Sequence, residues 1–153
     1  MKKSKARALR MATHRFPYVD SFVPPSDAFP SGQTLSRALI PVELHNGENH
    51  IAPFYALVDT GADYCLFPSD FTPHLGLDFT QMPSITGYGI GQDNDMRFAT
   101  LDLEITGLGK WLVYAAFSRL WDGRETGLIG HVGFFDRFKV RFDWRSKIFE
   151  IEE

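Results

Sequence analysis

The sequence predicts an all-β domain, built as a small closed barrel or sandwich with one short helix near its C-terminus. Three observations carry that expectation. Residues 98–105 alternate with period two, setting Ala99, Leu101, Leu103 and Ile105 on one face and Phe98, Thr100, Asp102 and Glu104 on the other. Asn46-Gly47 stands between two apolar-patterned segments and is a strong hairpin signal. Nowhere in the 153 residues does an apolar helical period persist, and the spacing of short strands does not suit repeated βαβ units.

Taken in order, residues 1–37 read as an arm, first basic and then rich in proline. Pro17, Pro24, Pro25 and Pro30 with intervening Ser, Asp and Gly predict irregular chain over 16–36. The domain proper is expected over 38–153. Residues 38–44 read as a strand, with Pro41 indicating an edge position or a bulge. Residues 51–58 form the returning strand and end in the apolar run Ala56-Leu57-Val58, which should be buried. Prolines punctuate 67–76, leaving room for a helical turn or two. After the glycine-spaced apolar tip Ile85-Thr86-Gly87-Tyr88-Gly89-Ile90-Gly91 come strands over 98–105 and 111–117. A polar loop over 118–126 leads to the compact step Leu128-Ile129-Gly130, a short helix over 131–138, and a final hairpin with strands over 139–143 and 147–151.

Composition narrows the function. A mass of 17.4 kDa fits one domain able to bury a core without staples, and 14 phenylalanines predict that the core is aromatic. No apolar run approaches a membrane span. The basic N-terminal flank lacks the apolar stretch of a signal peptide, and Cys65 has no intrachain partner, so a reducing, cytoplasmic setting is expected. Six of the 16 Lys/Arg residues and none of the 19 Asp/Glu residues lie in residues 1–15; the net charge of −3 therefore becomes −9 for the remainder. An acidic body argues against a nucleic-acid surface, and the basic segment reads as a solvated terminus. The five histidines are dispersed without a metal-binding spacing, and Gly89-Ile90-Gly91 lacks the rest of a dinucleotide fingerprint. No metal and no cofactor are expected.

The segment richest in chemistry is Val58-Asp59-Thr60-Gly61-Ala62-Asp63. An apolar strand ends abruptly in a carboxylate, a hydroxyl and a glycine. A charge at the rim of a core is costly unless it is hydrogen-bonded, paired or functional. From the residues alone, Asp-Thr-Gly is equally an ordinary strand-ending turn.

This segment resembles the active-site signature of the retroviral-type aspartic proteases, the retropepsin-like family, in its bacterial or cellular branch. The likeness continues along residues 38–153. The hairpin at Asn46-Gly47 resembles the hairpin that leads into the signature. Gly87-Tyr88-Gly89-Ile90-Gly91, about 30 residues after Asp59, resembles the flap. Leu128-Ile129-Gly130 resembles the second signature before the C-terminal helix. The resemblance implies an aspartic endopeptidase in which two carboxylates share a proton and activate a water. With one Asp-Thr-Gly per chain, it implies a homodimer bringing two Asp59 residues together, since Asp143 lacks a following Thr-Gly. It implies further that Thr60 holds the two loops in register, that Gly61 admits substrate backbone, and that Ala62 and Asp63 bind substrate or brace the dimer. Ile85, Gly87, Tyr88, Gly89 and Ile90 would cover the substrate, and Leu128 and Ile129 would sit behind the loop, lining an apolar pocket or filling the core. The substrate would be an extended polypeptide.

Two features depart from the family pattern. His131 stands where an arginine usually pairs with the second acid of the signature. Residues 1–37 have no counterpart in the minimal viral domain. The alternative reading is a protease-like fold that binds or assembles peptides with little catalysis.

Overall fold

The computed structural model describes residues 12–85 and 96–153. Its strands are β1 (Thr13–Pro17), β2 (Val19–Val23), β3 (Gln33–Arg37), β4 (Leu39–Asn46), β5 (Asn49–Val58), β6 (Leu66–Pro68), β7 (Ser84–Ile85), β8 (Met96–Ile105), β9 (Gly109–Ser118), β10 (Thr126–Ile129), β11 (Lys139–Asp143) and β12 (Ile148–Glu152). Short 3-10 turns occupy Ser69–Phe71, Pro73–Leu75, Phe79–Gln81 and Arg119–Trp121.

The architecture is an all-β closed barrel. Strands run β4-β5-β10-β6-β9-β8, and β8 pairs back onto β4 to close the ring. Closure follows from the alternation in the strands. Ile40, Val42 and Leu44 on β4 point inward, as do Leu101, Leu103 and Ile105 on β8 and Val113, Ala115 and Phe117 on β9; all nine are buried. A closed barrel leaves the central strands without free edges. The turn at Asn46-Gly47 is as expected, with Gly47 at φ 61°, in the left-handed region that favours glycine. Pro41 is accommodated because β4 pairs with β8 only from Val42 onward, and a bulge follows between Val42 and Leu44.

A second sheet, β1-β12-β11, packs on the barrel. Phe149 and Ile151 are fully buried beneath it, and the Phe16 ring stacks on Phe149 at 5.4 Å between centroids. Here the structure departs from the irregular chain expected over 16–36. From Thr13 the segment is strand: β1 pairs with β12, and β2 and β3 form a two-stranded ribbon. The prolines are compatible with this because Pro17 ends an edge strand and Pro24, Pro25 and Pro30 lie between β2 and β3. The alternation His14-Phe16 inward against Thr13-Arg15 outward supplies the strand pattern, and Arg15 pairs with Glu150 at 2.7 Å.

The short C-terminal helix expected over 131–138 is a single helical turn, in which Phe138 N–H donates to the Phe134 carbonyl at 2.9 Å. Phe134 and Phe138 are buried and plug the barrel beside Trp111. No helix among the described residues is long and apolar enough to cross a membrane.

Candidate active site

β5 and β10 run parallel at the centre of the barrel, pairing Leu57 with Leu128 and Val58 with Ile129. Their C-terminal ends therefore emerge together, and the two sequence signatures meet. Asp59 N–H donates to the Ile129 carbonyl at 3.0 Å. Beyond that point the chains cross-brace: His131 N–H donates to the Ala62 carbonyl at 2.8 Å and Val132 N–H to the Asp63 carbonyl at 2.9 Å. Gly130 is buried in the crossing. A Cβ placed there would stand 2.4 Å from the Ala62 carbonyl oxygen and 2.6 Å from that of Tyr64.

The Asp59 loop is a tight turn closed by an Ala62 N–H bond to the Asp59 carbonyl, 3.2 Å. The Asp59 carboxylate Oδ1 accepts the Gly61 N–H at 2.8 Å, which orients the side chain from within its own turn. Thr60, Gly61 and Asp63 are exposed, Asp59 and Ala62 half-buried. His131 Nε2–H donates to the Thr60 carbonyl at 2.6 Å. The histidine thus braces the loop through its backbone, where the family comparison suggested pairing with Asp63.

An open groove of about 420 Å³ runs beside Asp59 and Thr60. Its other walls include Arg37 at the end of β3, Tyr18, and Phe142 and Trp144 from the final hairpin. Sequence reasoning did not select these four. The signal for two of them was the strand alternation in 13–17, which carries the N-terminal segment onto the sheet beside the loop. Asp143 plays a local part: Ser146 N–H and Oγ–H both donate to its carboxylate, holding it below the usual carboxylate range.

Leu128 is half-buried, whereas Ile129 is wholly buried in the barrel. Of the two places expected for this pair, lining a pocket or filling the core, Ile129 takes the core, behind the loop it anchors. Ile85 is half-buried and pairs with Met96, with Ser84 opposite Arg97. The expected flap residues Gly87, Tyr88, Gly89 and Ile90 lie outside the described residues.

Cys65 is fully buried directly after the loop, its Sγ 3.5 Å from the Val132 carbonyl. Burial pushes its thiol up to about 11. The folded protein is expected to resist dithionitrobenzoate at pH 8 and to react at once in guanidinium. Rapid stoichiometric labelling of the folded chain would contradict this placement.

The fold has a solved counterpart. The crystal structure of a retropepsin-like aspartic protease from Rickettsia conorii superposes with a TM-score of 0.56 at 17% sequence identity, over 94% of this chain and 95% of that one. The present chain therefore has a retropepsin-like fold. No protein-family model matches the sequence, and no curated protein matches it.

Proposed function

We propose that this protein is an aspartic endopeptidase that works as a homodimer, with the two Asp59 carboxylates of the dimer activating one water. The observation that carries this reading is the Asp59-Thr60-Gly61 turn, with Asp59 half-buried and Thr60 and Gly61 exposed at the end of the barrel, held from behind by the Leu128-Ile129-Gly130 segment. The retropepsin-like fold supports it.

The chemistry needs two carboxylates with one proton between them. At close range both cannot ionise together, so the pair holds a proton that belongs to neither residue alone. The ionised member takes a proton from water as its oxygen attacks the scissile carbonyl carbon. The protonated member donates to the carbonyl oxygen, giving a tetrahedral diol. Return of a proton to the amide nitrogen releases the amine and leaves the new carboxyl group. One chain supplies one Asp-Thr-Gly, and a two-fold axis beside Thr60 supplies the second. In this reading Asp63 and Ala62 contact the substrate backbone, Thr60 ties the two loops, Leu128 and Ile85 favour apolar side chains, and the groove lined by Tyr18 and Trp144 receives an extended peptide.

The test is cleavage of a diverse peptide library by the purified full chain from pH 4 to 7, read by mass spectrometry, with the oligomeric state measured by sedimentation. Defined cuts with apolar residues flanking the scissile bond, from a dimeric species, are expected. A folded dimer that binds peptides without cutting them would assign the fold to peptide binding instead.

A further inference from the structure

The barrel closes along the seam between β4 and β8, and the outer face of that seam collects metal-binding side chains from separate parts of the chain. Glu43 on β4 lies directly opposite Glu104 on β8. His45, two residues further along β4 and on the same face, lies opposite Asp102 of β8 and, across the hairpin, opposite His50 of β5. The His45 Nε2 atom is 2.8 Å from a Glu104 carboxylate oxygen and 3.6 Å from a Glu43 carboxylate oxygen. One donor atom from each of the three residues falls within 4.8 Å of the others.

Two details set this cluster apart from a chance gathering of charge. Like-charged side chains directly opposed across an antiparallel pair destabilise the sheet unless a cation sits between them. Further, the His45 Nε2 atom is buried without a hydrogen bond, although a carboxylate oxygen is close by. Proximity there is not a hydrogen bond, because the oxygen lies off the ring N–H direction. A buried imidazole nitrogen left unsatisfied beside two carboxylate oxygens has its lone pair available to a metal ion.

We propose that Glu43, His45 and Glu104 form a binding site for a divalent first-row transition cation, with Zn²⁺ the fitting ion. One neutral imidazole and two carboxylates balance a dication. Tetrahedral ligands at ordinary zinc distances stand about 3.3 Å from one another, and the two nitrogen–oxygen separations bracket that value. An imidazole donor disfavours calcium and magnesium. The His50 ring stacks on His45 at 6.0 Å and Asp102 lies opposite His45 on β8, so both flank the cluster, and water completes the coordination. Lys110 lies opposite Glu104 on β9. Bound at this position, the ion would clamp the closing seam of the barrel. The site does not depend on the peptidase reading.

The experiment uses the full chain stripped with a chelator. Titration with Zn²⁺ by calorimetry is expected to show one ion per chain and a rise in Tm of several degrees. Titration with Co²⁺ is expected to produce visible bands of tetrahedral coordination. His45→Asn and Glu43→Gln are each expected to weaken Zn²⁺ binding by at least the roughly 10- to 100-fold that losing an outer-shell partner costs, whereas His74→Asn leaves it unchanged. On the unaltered chain, histidine-ring NMR should show the His45 Nε2 resonance moving on Zn²⁺ addition. Failure to bind Zn²⁺ stoichiometrically would overturn the proposal. So would equal affinity in the His45 and Glu43 variants, or shifts confined to other histidines.

Discussion

Asp59→Asn is expected to lower kcat/KM for peptide cleavage at least about a thousandfold, the range associated with losing a positioned acid–base group. Stability should hardly change. The asparagine Oδ1 can accept the same Gly61 N–H, and the backbone bonds tying residue 59 to Ile129 and Ala62 are untouched. Loss of activity with an unchanged Tm therefore separates chemistry from folding. Mixing the variant with the natural chain tests the shared pair itself. With free exchange and equal amounts, about a quarter of the dimers carry two Asp59 residues. Activity at constant total protein should fall to about that fraction. Chains acting alone would retain about half, and that outcome would sink the paired-carboxylate mechanism.

The parts of this molecule that were legible in the sequence are those written in local pattern. The Asn46-Gly47 turn, the alternation on β8 and the final hairpin each depend on neighbours a few residues away. The signatures at Asp59 and Leu128 were legible for the same reason, and the parallel pairing of β5 with β10 then places them side by side. What failed to show depends on distant contacts. Phe98 sits on the polar face by alternation, yet it is buried because the rings of Tyr64 and Tyr114 pack against it at 5.0 and 5.1 Å. The strand at 13–17 exists because β12, more than 130 residues later, offers it an edge and Phe149 offers it a surface. The groove walls from Arg37 and Trp144 and the cluster of Glu43, His45 and Glu104 likewise join segments remote in the chain. Dispersed histidines in the sequence become neighbours once a hairpin sets His45 beside His50.

Gly130→Ala should be the most disruptive single methyl in the protein's candidate site. At Gly127, on the same strand, the nearest obstacle to a Cβ is a side chain, the Phe67 ring. At Gly130 the obstacles are two backbone carbonyl oxygens, at 2.4 and 2.6 Å, belonging to Ala62 and Tyr64. Neither can turn aside as a side chain does. The same stretch carries the hydrogen bonds from His131 and Val132 that cross-brace the loop, so relief must come from separating β10 from the Asp59 turn. Overpacking typically costs about 1–3 kcal/mol where side chains can adjust, and a rigid backbone contact belongs at or beyond the top of that range. For a chain of this size, about 3 kcal/mol corresponds to a fall in Tm of roughly 6–12 °C. Activity should fall as well, even below the new Tm, because the displaced segment is the one that positions Asp59. A Gly130→Ala protein with an unchanged Tm would show that the two signatures are not packed through this glycine. In that case the brace behind Asp59 would be carried by the Asp59–Ile129 backbone bond alone.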